Sequence, residues 1–517
     1  MENYRDYIEK ALTNEEDCDA LSQFKRETLN QMTERVQSIR NTGMKDEQVL
    51  FHLIREEFSN LSDRYHNFAK QGKMERSTLG MRGQKMKSEL WDKMHYMFRN
   101  FNDRMVHAEF HYDFEIDLEA LKTVIICLFE KAPVLHSSFS GSPINPYWRV
   151  ADYHIDDVVT AVHVEADKLD EAVNSFLIQQ IPLESPIQMK AAVFYCDAKS
   201  VLCVMENHMC MDGGDFKYFL KALCKNYNDY VEKGISPLKL RTGSRSYDWI
   251  YAAFSEEDAH TARNLYKNVC AKKTHKFPLT PDSKDDHAFI VRLKIDSERT
   301  RRIKEVGKAH GATVNDMLLT AFFNSMYELC ELPDSEDVVI PCAIDLRRHL
   351  SSLHGIGLTN HTAYMQCYVP NRGRDIFEML DNVINSVKGF KADKFMGLYG
   401  LPLLNMAYSL MPYCIAEKLI KIGYSNPLIS ISNMGVLDSD KLSLAGNKPT
   451  DGYITGAIKY KPYSVLTVTT LNGELTMTMC VRGNDMDCKI VDRFFDLYEQ
   501  SLNLLIGAAE DERTIVS

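Results

Sequence analysis

Two short apolar runs that lie close together constrain the fold of this chain most strongly. Ile187–Cys196 and Val201–Glu206 are separated by only four residues, Asp-Ala-Lys-Ser. This spacing predicts two antiparallel strands joined by a tight turn. The second strand leads directly into the segment His208-Met-Cys-Met-Asp-Gly-Gly214. The sequence therefore predicts a histidine at the end of a rigid strand.

The residues after His208 predict a sharp turn and then a helix. Glycine at 213 and 214 permits positive φ angles and the close approach of other groups. Asp215 is predicted to cap a helix. Its apolar face has the helical spacing Phe216, Phe219, Leu220, Leu223 and Tyr227. Imidazole takes up and returns a proton near neutral pH, so we predict that His208 is a general base.

Strands and helices alternate through two segments of nearly equal size. Residues 89–275 include the apolar-striped helix Leu118–Phe129, and residues 287–517 include two strands around an Asn-Gly turn, Ser464–Thr470 and Leu475–Val481. A proline-containing linker, 276–286, is predicted between them. We therefore expect an α/β protein with two similar lobes and a seam between them.

Residues 1–72 are predicted to form a separate helical domain. Their apolar residues recur at helical spacing, and Thr42-Gly43 divides them into two helices. The segment resembles the small helical prefix domain of bacterial permeases and membrane sensors, through Tyr-Arg-Asp-Tyr-Ile-Glu and Phe-Lys-Arg-Glu. A helical hairpin used for docking or self-association is the alternative. Residues 73–88 are predicted to be a basic, flexible linker.

Charge and apolar patterning exclude some classes of function. The net charge of the 517-residue chain is −11, which argues against a nucleic-acid partner. The N-terminus is charged and lacks the apolar core of a signal peptide. The longest apolar stretch, Leu401–Tyr424, contains Pro412, Glu417 and Lys418, so we expect an amphipathic helix there rather than a transmembrane one. A cytoplasmic protein is expected.

The cysteines do not predict a metal site. None of the 13 cysteines forms a CxxC pair, and the spacing of Cys196, Cys203 and Cys210 matches no zinc site. Reduced thiols and no bound metal are expected. Cys210 stands beside His208, but two residues away in a turn it is poorly placed to form a cysteine–histidine pair. We interpret Cys210 as a packing residue.

The order of motifs along the chain resembles one enzyme superfamily. The motifs are Pro133-Val-Leu-His-Ser-Ser-Phe139, Ile187-Gln-Met-Lys-Ala-Ala-Val193, the HxxxDGG segment at His208, Gly311-Ala-Thr-Val-Asn-Asp-Met-Leu-Leu-Thr-Ala321, Asp345-Leu-Arg-Arg-His-Leu350, Thr359-Asn360 and Ser430-Ile-Ser-Asn-Met-Gly435. Over about residues 89–510 the chain is similar to the condensation-domain superfamily. This superfamily includes chloramphenicol acetyltransferase, plant BAHD acyltransferases and bacterial alcohol acetyltransferases.

The resemblance implies a fold and a set of site residues. It implies two chloramphenicol-acetyltransferase-like lobes in a V, with His208 in a central channel. Asp212 and Gly213 would then be structural, and Asp212 would pair with Arg347, or failing that with Arg348. Asn433 is a candidate for substrate positioning or oxyanion stabilisation, with strand-end capping as its alternative. Asn207 is a second candidate for substrate positioning.

The resemblance also implies an activity, with alternatives. Peptide-forming condensation domains carry two consecutive histidines, whereas position 207 here is asparagine. This difference favours transfer from an acyl-CoA co-substrate to a small-molecule hydroxyl or amine acceptor, with no permanently bound cofactor. A condensation enzyme that uses a carrier-protein donor is the first alternative. A catalytically silent docking module, with residues 1–72 as its interaction part, is the second.

Overall fold

The computed structural model describes residues 85–234, 239–265, 274–423 and 426–516. The predicted helical domain 1–72 and most of the predicted linker 73–88 lie outside these residues. In the described part, no helix combines the length and the apolar character that crossing a bilayer requires.

The first lobe combines helices of different lengths with two sheets. Its elements are β1 (Lys85–Lys87), α1 (Leu90–Met97), β2 (Met105–Tyr112), α2 (Leu118–Lys131), β3 (Ser137–Ser140), β4 (Tyr147–Val150), α3 (Ile155–Val158), β5 (Val159–His163), α4 (Leu169–Leu177), β6 (Met189–Cys196), β7 (Lys199–Asn207), α5 (Gly213–Lys233), α6 (Asp248–Ala252) and α7 (Glu256–Arg263).

The second lobe follows after residue 274. Its elements are β8 (His287–Ile295), α8 (Ser297–Ala309), α9 (Val314–Leu329), β9 (Val338–Asp345), β10 (Thr362–Val369), α10 (Ile376–Ala392), α11 (Leu401–Leu410), α12 (Tyr413–Gly423), β11 (Ile429–Val436), β12 (Asp451–Thr455), β13 (Lys459–Tyr460), β14 (Ser464–Leu471), β15 (Glu474–Gly483) and α13 (Asp485–Val516).

The strand pair predicted before His208 is confirmed. β6 and β7 pair antiparallel, and the turn residues Asp197 and Ala198 both have positive φ angles, 49° and 61°. Two such residues give the turn a twist that matches the twist of the strands. β7 lies in the middle of a five-stranded sheet of order β12-β2-β7-β6-β5, so its end is held on both sides.

One strand of this first-lobe sheet comes from the second segment of the chain. β12 pairs antiparallel with β2, with Tyr453 opposite Glu109. The predicted boundary at residues 276–286 therefore does not divide the chain into two separate sheets. The backbone hydrogen bonds between β12 and β2 therefore connect the two lobes.

The second lobe contains a larger sheet, with order β10-β9-β11-β14-β15 and with β8 and β13 also pairing to β15. The predicted hairpin between β14 and β15 is confirmed, and its turn residues Asn472 and Gly473 have φ angles of 51° and 87°. Each lobe has its own apolar core. A third apolar cluster joins α1 and α6 to α11 and α12 across the seam.

Three segments differ from the sequence predictions. Lys85–Lys87 is not part of a flexible linker, because it pairs with β4 as strand β1. In the predicted linker 276–286, Phe277 is 1% exposed and packs in the second-lobe core. Leu401–Tyr424 is not one helix, because α11 ends at Leu410 and α12 begins just after Pro412. Proline lacks the N–H that an uninterrupted helix requires.

Candidate active site

His208 lies at the seam between the lobes, directly after β7. Its backbone N–H donates to the carbonyl of Arg104 at 2.7 Å, so the residue just before the neighbouring strand β2 holds it. The N–H of Cys210 then donates to the carbonyl of Asn207 at 2.7 Å, which closes a tight turn. The His208 side chain is half-buried. A rigid strand end thus presents an accessible imidazole.

Asn360 from the second lobe fixes the orientation of this imidazole. Its amide nitrogen donates to the carbonyls of His208 at 2.8 Å and Met209 at 3.4 Å. Its amide oxygen therefore faces His208 Nδ1, at 3.0 Å. An oxygen acceptor there requires the proton on Nδ1. Nε2 is consequently the nitrogen with a free lone pair.

Asn207 does not face the seam, and the structure gives no support to a role for this residue in positioning substrate. The residue is completely buried. Its side chain donates to Gln188 Oε1 at 2.8 Å and accepts from the N–H of Met209 at 3.1 Å. Side chains alternate between the two faces of a strand, so the neighbour of a seam-facing residue points into the core. Asn207 therefore stabilises the turn after β7 through its bond to the N–H of Met209.

Asp212 caps helix α5 and pairs with Arg347, which confirms the predicted ion pair. Its carboxylate accepts from the N–H of Asp215 at 3.0 Å, so the predicted cap at Asp215 lies one turn too late. Arg347 Nη1 lies 2.9 Å from Asp212 Oδ2. Arg348, the alternative partner, contacts the sulfur of Met396 instead.

The ion pair is part of a buried charge cluster. Arg347 Nη2 also lies 2.9 Å from Asp215 Oδ2, and the second-lobe backbone N–H of His361 donates to Asp212 at 2.6 Å. Burial alone would raise the pKa of Asp212, but Arg347 outweighs it and holds that pKa well below its ordinary value. Burial and the charge of Asp212 raise the pKa of Asp215. Arg347 thus holds the start of α5 against the second lobe.

Gly213 packs closely against β11 and does not have a positive φ angle, so an added methyl group would require the flexible Met434 side chain to shift. A Cβ atom at position 213 would lie 2.2 Å from the terminal methyl carbon of Met434. At Gly214 it would lie 3.2 Å from both Arg347 Nη1 and Asp212 Oδ1. The two glycines are the first residues of α5 and allow β11 and the ion pair to pack against it.

Asn433 lies at an exposed bulge of β11. Its side-chain oxygen accepts from the N–H of Gly435 at 2.8 Å, and its nitrogen donates to Asn315 at 3.3 Å. Within the described contacts nothing joins it to His208. These bonds match the capping alternative, so the structure gives no support to a role for Asn433 in positioning substrate.

Arg245 binds the backbone of the turn after His208, and no sequence motif predicted a role for it at the site. Its guanidinium donates to both carboxylate oxygens of Asp92 in α1, at 2.9 and 2.8 Å, and to the carbonyls of Met209 at 3.0 Å and Cys210 at 3.3 Å. Burial raises the pKa of the Cys210 thiol well above its ordinary value. A buried, protonated thiol fits the interpretation of Cys210 as a packing residue.

Two further cationic or titratable side chains surround His208, and sequence motifs indicated neither. His95 from α1 stacks on the His208 ring, and Lys459 from β13 is half-buried nearby. Burial lowers the pKa of His208 below 6.5; the Lys459 charge acts in the same direction and Asp212 in the opposite one. Burial also lowers the pKa of Lys459 to about 8. His208 is therefore a neutral base at neutral pH.

Among residues 85–234, 239–265, 274–423 and 426–516, no group of three or more His, Cys, Asp or Glu side chains is arranged to hold a metal ion.

Comparison with known families matches about half of the chain. A family model described as the condensation domain matches residues 95–358, just over half of the chain. A search of curated proteins finds bacitracin synthase 3 from Bacillus licheniformis, 24% identical over 261 residues. The aligned region is 49% of this chain but only 4% of that synthase, so the chain spans a small part of its relative's length.

Solved structures share the fold at low identity. The trichothecene 15-O-acetyltransferase from Fusarium sporotrichioides has a TM-score of 0.60 at 12% identity, covering 83% of this chain and 97% of its own. The epimerization domain from the third module of tyrocidine synthetase B has a TM-score of 0.58 at 14% identity, covering 84% and 98%. A starter condensation domain of rhizomide synthetase, in complex with C8-CoA, has a TM-score of 0.56 at 11% identity, covering 81% and 94%. These similarities establish the two-lobed fold.

Proposed function

Because this chain belongs to the condensation-domain family, whose members transfer acyl or peptidyl groups, we propose that it is an acyltransferase with His208 as general base. It moves an acyl group from a thioester to a hydroxyl or amine. The observation that carries the proposal is the bond between His208 Nδ1 and Asn360 Oδ1. This bond leaves Nε2 as the proton acceptor on a half-buried ring at the seam.

The proposed reaction needs one base that works in both directions. The oxygen or nitrogen of the acceptor attacks the thioester carbonyl carbon. At the same time, His208 Nε2 takes the proton of that hydroxyl or amine. The carbon–sulfur bond then breaks, and the thiolate takes the proton back from the imidazolium. The products are the acylated acceptor and a free thiol, and the base is regenerated.

Asp212 is assigned a positioning role in this mechanism. Its carboxylate bonds to Arg347 and to backbone N–H groups of both lobes, and no described contact joins it to the imidazole. In a catalytic triad the acid hydrogen-bonds to the ring of the base. Here Asn360 takes that place, and the ion pair holds the turn that carries His208.

We propose acyl-CoA as the donor co-substrate and a small molecule as the acceptor. The support is the asparagine at 207, which replaces the first of the two histidines of peptide-forming domains. The rhizomide synthetase domain is described with C8-CoA, and the trichothecene enzyme as an O-acetyltransferase. The similarity to bacitracin synthase 3 favours the second candidate, a condensation enzyme that takes its donor from a carrier protein.

Thiol release tests the proposal and separates the candidates. The full chain is incubated with a panel of acyl-CoAs, and separately with acyl-loaded carrier protein, each with hydroxyl and amine acceptors. We expect acceptor-dependent thiol release from the acyl-CoAs, lost in His208→Ala and kept in His354→Ala, which removes an exposed histidine. Release only from the loaded carrier would support the second candidate. Release equal in His208→Ala and wild type would refute the assignment of the base.

A further inference from the structure

A second imidazole lies face to face with the proposed base. The rings of His95 and His208 have centroids 4.3 Å apart and an interplanar angle of 27°. His95 belongs to helix α1 and is half-buried at the same seam. The proposed mechanism leaves this residue without a role.

The scaffold holds this stack in place. Arg245 binds the Asp92 carboxylate in α1 and the carbonyls of Met209 and Cys210 in the turn after His208. Asp92 is completely buried, accepts from the indole N–H of Trp148 at 2.8 Å and from the N–H of Glu89 at 2.9 Å. One guanidinium therefore links the helix that carries His95 to the turn that carries His208.

The two histidines do not carry charge together. Burial and the charge of His208 lower the pKa of His95 well below its ordinary value of 6.5. His95 is thus the neutral partner when His208 takes up a proton. The faces of Trp, Tyr and Phe rings attract a cation that lies within about 6 Å of the ring centroid, and we extend this attraction to the neutral imidazole of His95.

We propose that His95 is a positioning residue whose ring face stabilises the imidazolium that His208 becomes during acyl transfer. The inference rests on the proposed role of His208 as base. The other groups facing His208 are Lys459 from β13, which opposes the imidazolium, Asp212 at the start of α5, which favours it, and the neutral Asn360. Lys459 destabilises the positively charged form of His208, and His95 offsets part of that destabilisation.

Three variants separate the aromatic face from simple space filling. His95→Phe keeps an aromatic ring, whereas His95→Leu and His95→Gln remove it. His310→Leu is a matched control, because it removes a histidine that stacks on Phe377 with centroids 4.4 Å apart, in the second lobe. A stack of this kind corresponds to a change of about 2- to 30-fold in an equilibrium or rate.

Kinetics with the acyl donor give the first readout. We expect His95→Leu and His95→Gln to lower kcat by about 2- to 30-fold, with a smaller change in KM, and His95→Phe to lose less. Loss of the stack destabilises the charged form of His208 and so lowers its pKa. The acid limb of kcat/KM should therefore move to lower pH in the Leu and Gln variants but not in His310→Leu.

An NMR titration of the His208 ring gives a readout that does not require activity. We expect the pKa of His208 to fall in His95→Leu and His95→Gln relative to His95→Phe and wild type. If the chain transfers no acyl group but the His208 pKa falls in His95→Leu and His95→Gln, the proposed function is wrong. The stabilisation of the His208 imidazolium by the His95 ring would then still be supported. If all three variants leave the His208 pKa unchanged, or lower activity equally without moving the acid limb, His95 only fills space and the inference is wrong.

Discussion

Arg347 binds Asp212 across the seam, with Nη1 2.9 Å from Oδ2 and 3.1 Å from Oδ1, although the two residues are 135 positions apart in the sequence. Both side chains are buried, with 9% and 5% of their surface exposed. The pair joins the first turn of α5 to the segment after β9. We therefore propose that the pair holds the shape of the turn that carries His208.

Breaking this ion pair from one side should be costly. Asp212→Asn and Arg347→Gln each leave a buried charge without its main partner, and we expect each to lower the free energy of unfolding by about 3–5 kcal/mol. The double variant should lose less than the sum of the two. Urea unfolding of the four proteins measures this coupling. Additive losses would show that the two side chains do not interact.

The same pair predicts the direction of a pH effect. The pKa of Asp212 is depressed in the folded state, so its contribution to stability is complete above its unfolded pKa of about 4. That contribution is lost as the pH falls further, through the folded value. The stability difference between wild type and Asp212→Asn should therefore be largest at neutral pH and shrink in acid. A difference that grows in acid would contradict the depressed pKa.

The pKa of His208 predicts the pH dependence of activity. Burial lowers this pKa below 6.5, and a base is inactive once protonated, so kcat/KM should fall only as the pH drops below about 6.5. Lys459→Met removes a positive charge that favours the neutral ring, so its acid limb should move to higher pH. Lys448→Met changes an exposed cation and should leave the limb in place. An unmoved limb in Lys459→Met would exclude that charge from the site.

Much of the fold could be predicted because its signals are local. The apolar runs before His208 and the Asn-Gly turn between β14 and β15 each determine a hairpin from adjacent residues. The position of His208 at the end of β7 follows from the same pattern. The pairing of Asp212 with Arg347 came from the resemblance to a family, because no local signal joins residues so far apart.

The rest of the site depends on contacts between distant segments. Asn360 meets His208 across 152 positions and Arg245 meets Asp92 across 153, and no spacing in the sequence indicates either contact. His95 stands in an ordinary helical pattern. The prediction for Asn207 lacks support because neighbouring residues of a strand face opposite sides, and Asn207 points into the core. The prediction that Asn433 positions substrate lacks support because a bulge in β11 turns its side chain to the surface.

Arg245 should not be replaceable by lysine. A lysine ammonium cannot bind both oxygens of Asp92 and also reach two carbonyls, because it lacks the planar fork of the guanidinium. We expect Arg245→Lys to lower the free energy of unfolding by about 1.5–3 kcal/mol, the scale of a lost hydrogen bond to a charged group. Arg301→Lys, on an exposed helix surface, should leave Tm unchanged. Equal Tm values for both variants would show that Arg245 is not a structural link.

Because β12 from the second segment of the chain pairs with β2 in the first lobe, replacing a glycine in β12 should change stability differently from replacing an exposed helical glycine. A Cβ atom at Gly452 in β12 would lie 2.5 Å from the backbone oxygen of Glu109 and 2.4 Å from the Phe110 ring in β2. Backbone within a paired strand cannot move aside cheaply, so Gly452→Ala should lower stability by about 1–3 kcal/mol or more. Gly389 lies on the exposed side of α10, and a Cβ atom there would meet no atom within 4 Å. Gly389→Ala should therefore raise stability by about 0.5–1 kcal/mol, because alanine favours helix. Chemical unfolding of both variants gives the two signs, and a Gly452→Ala protein as stable as wild type would mean that β12 does not pair with β2.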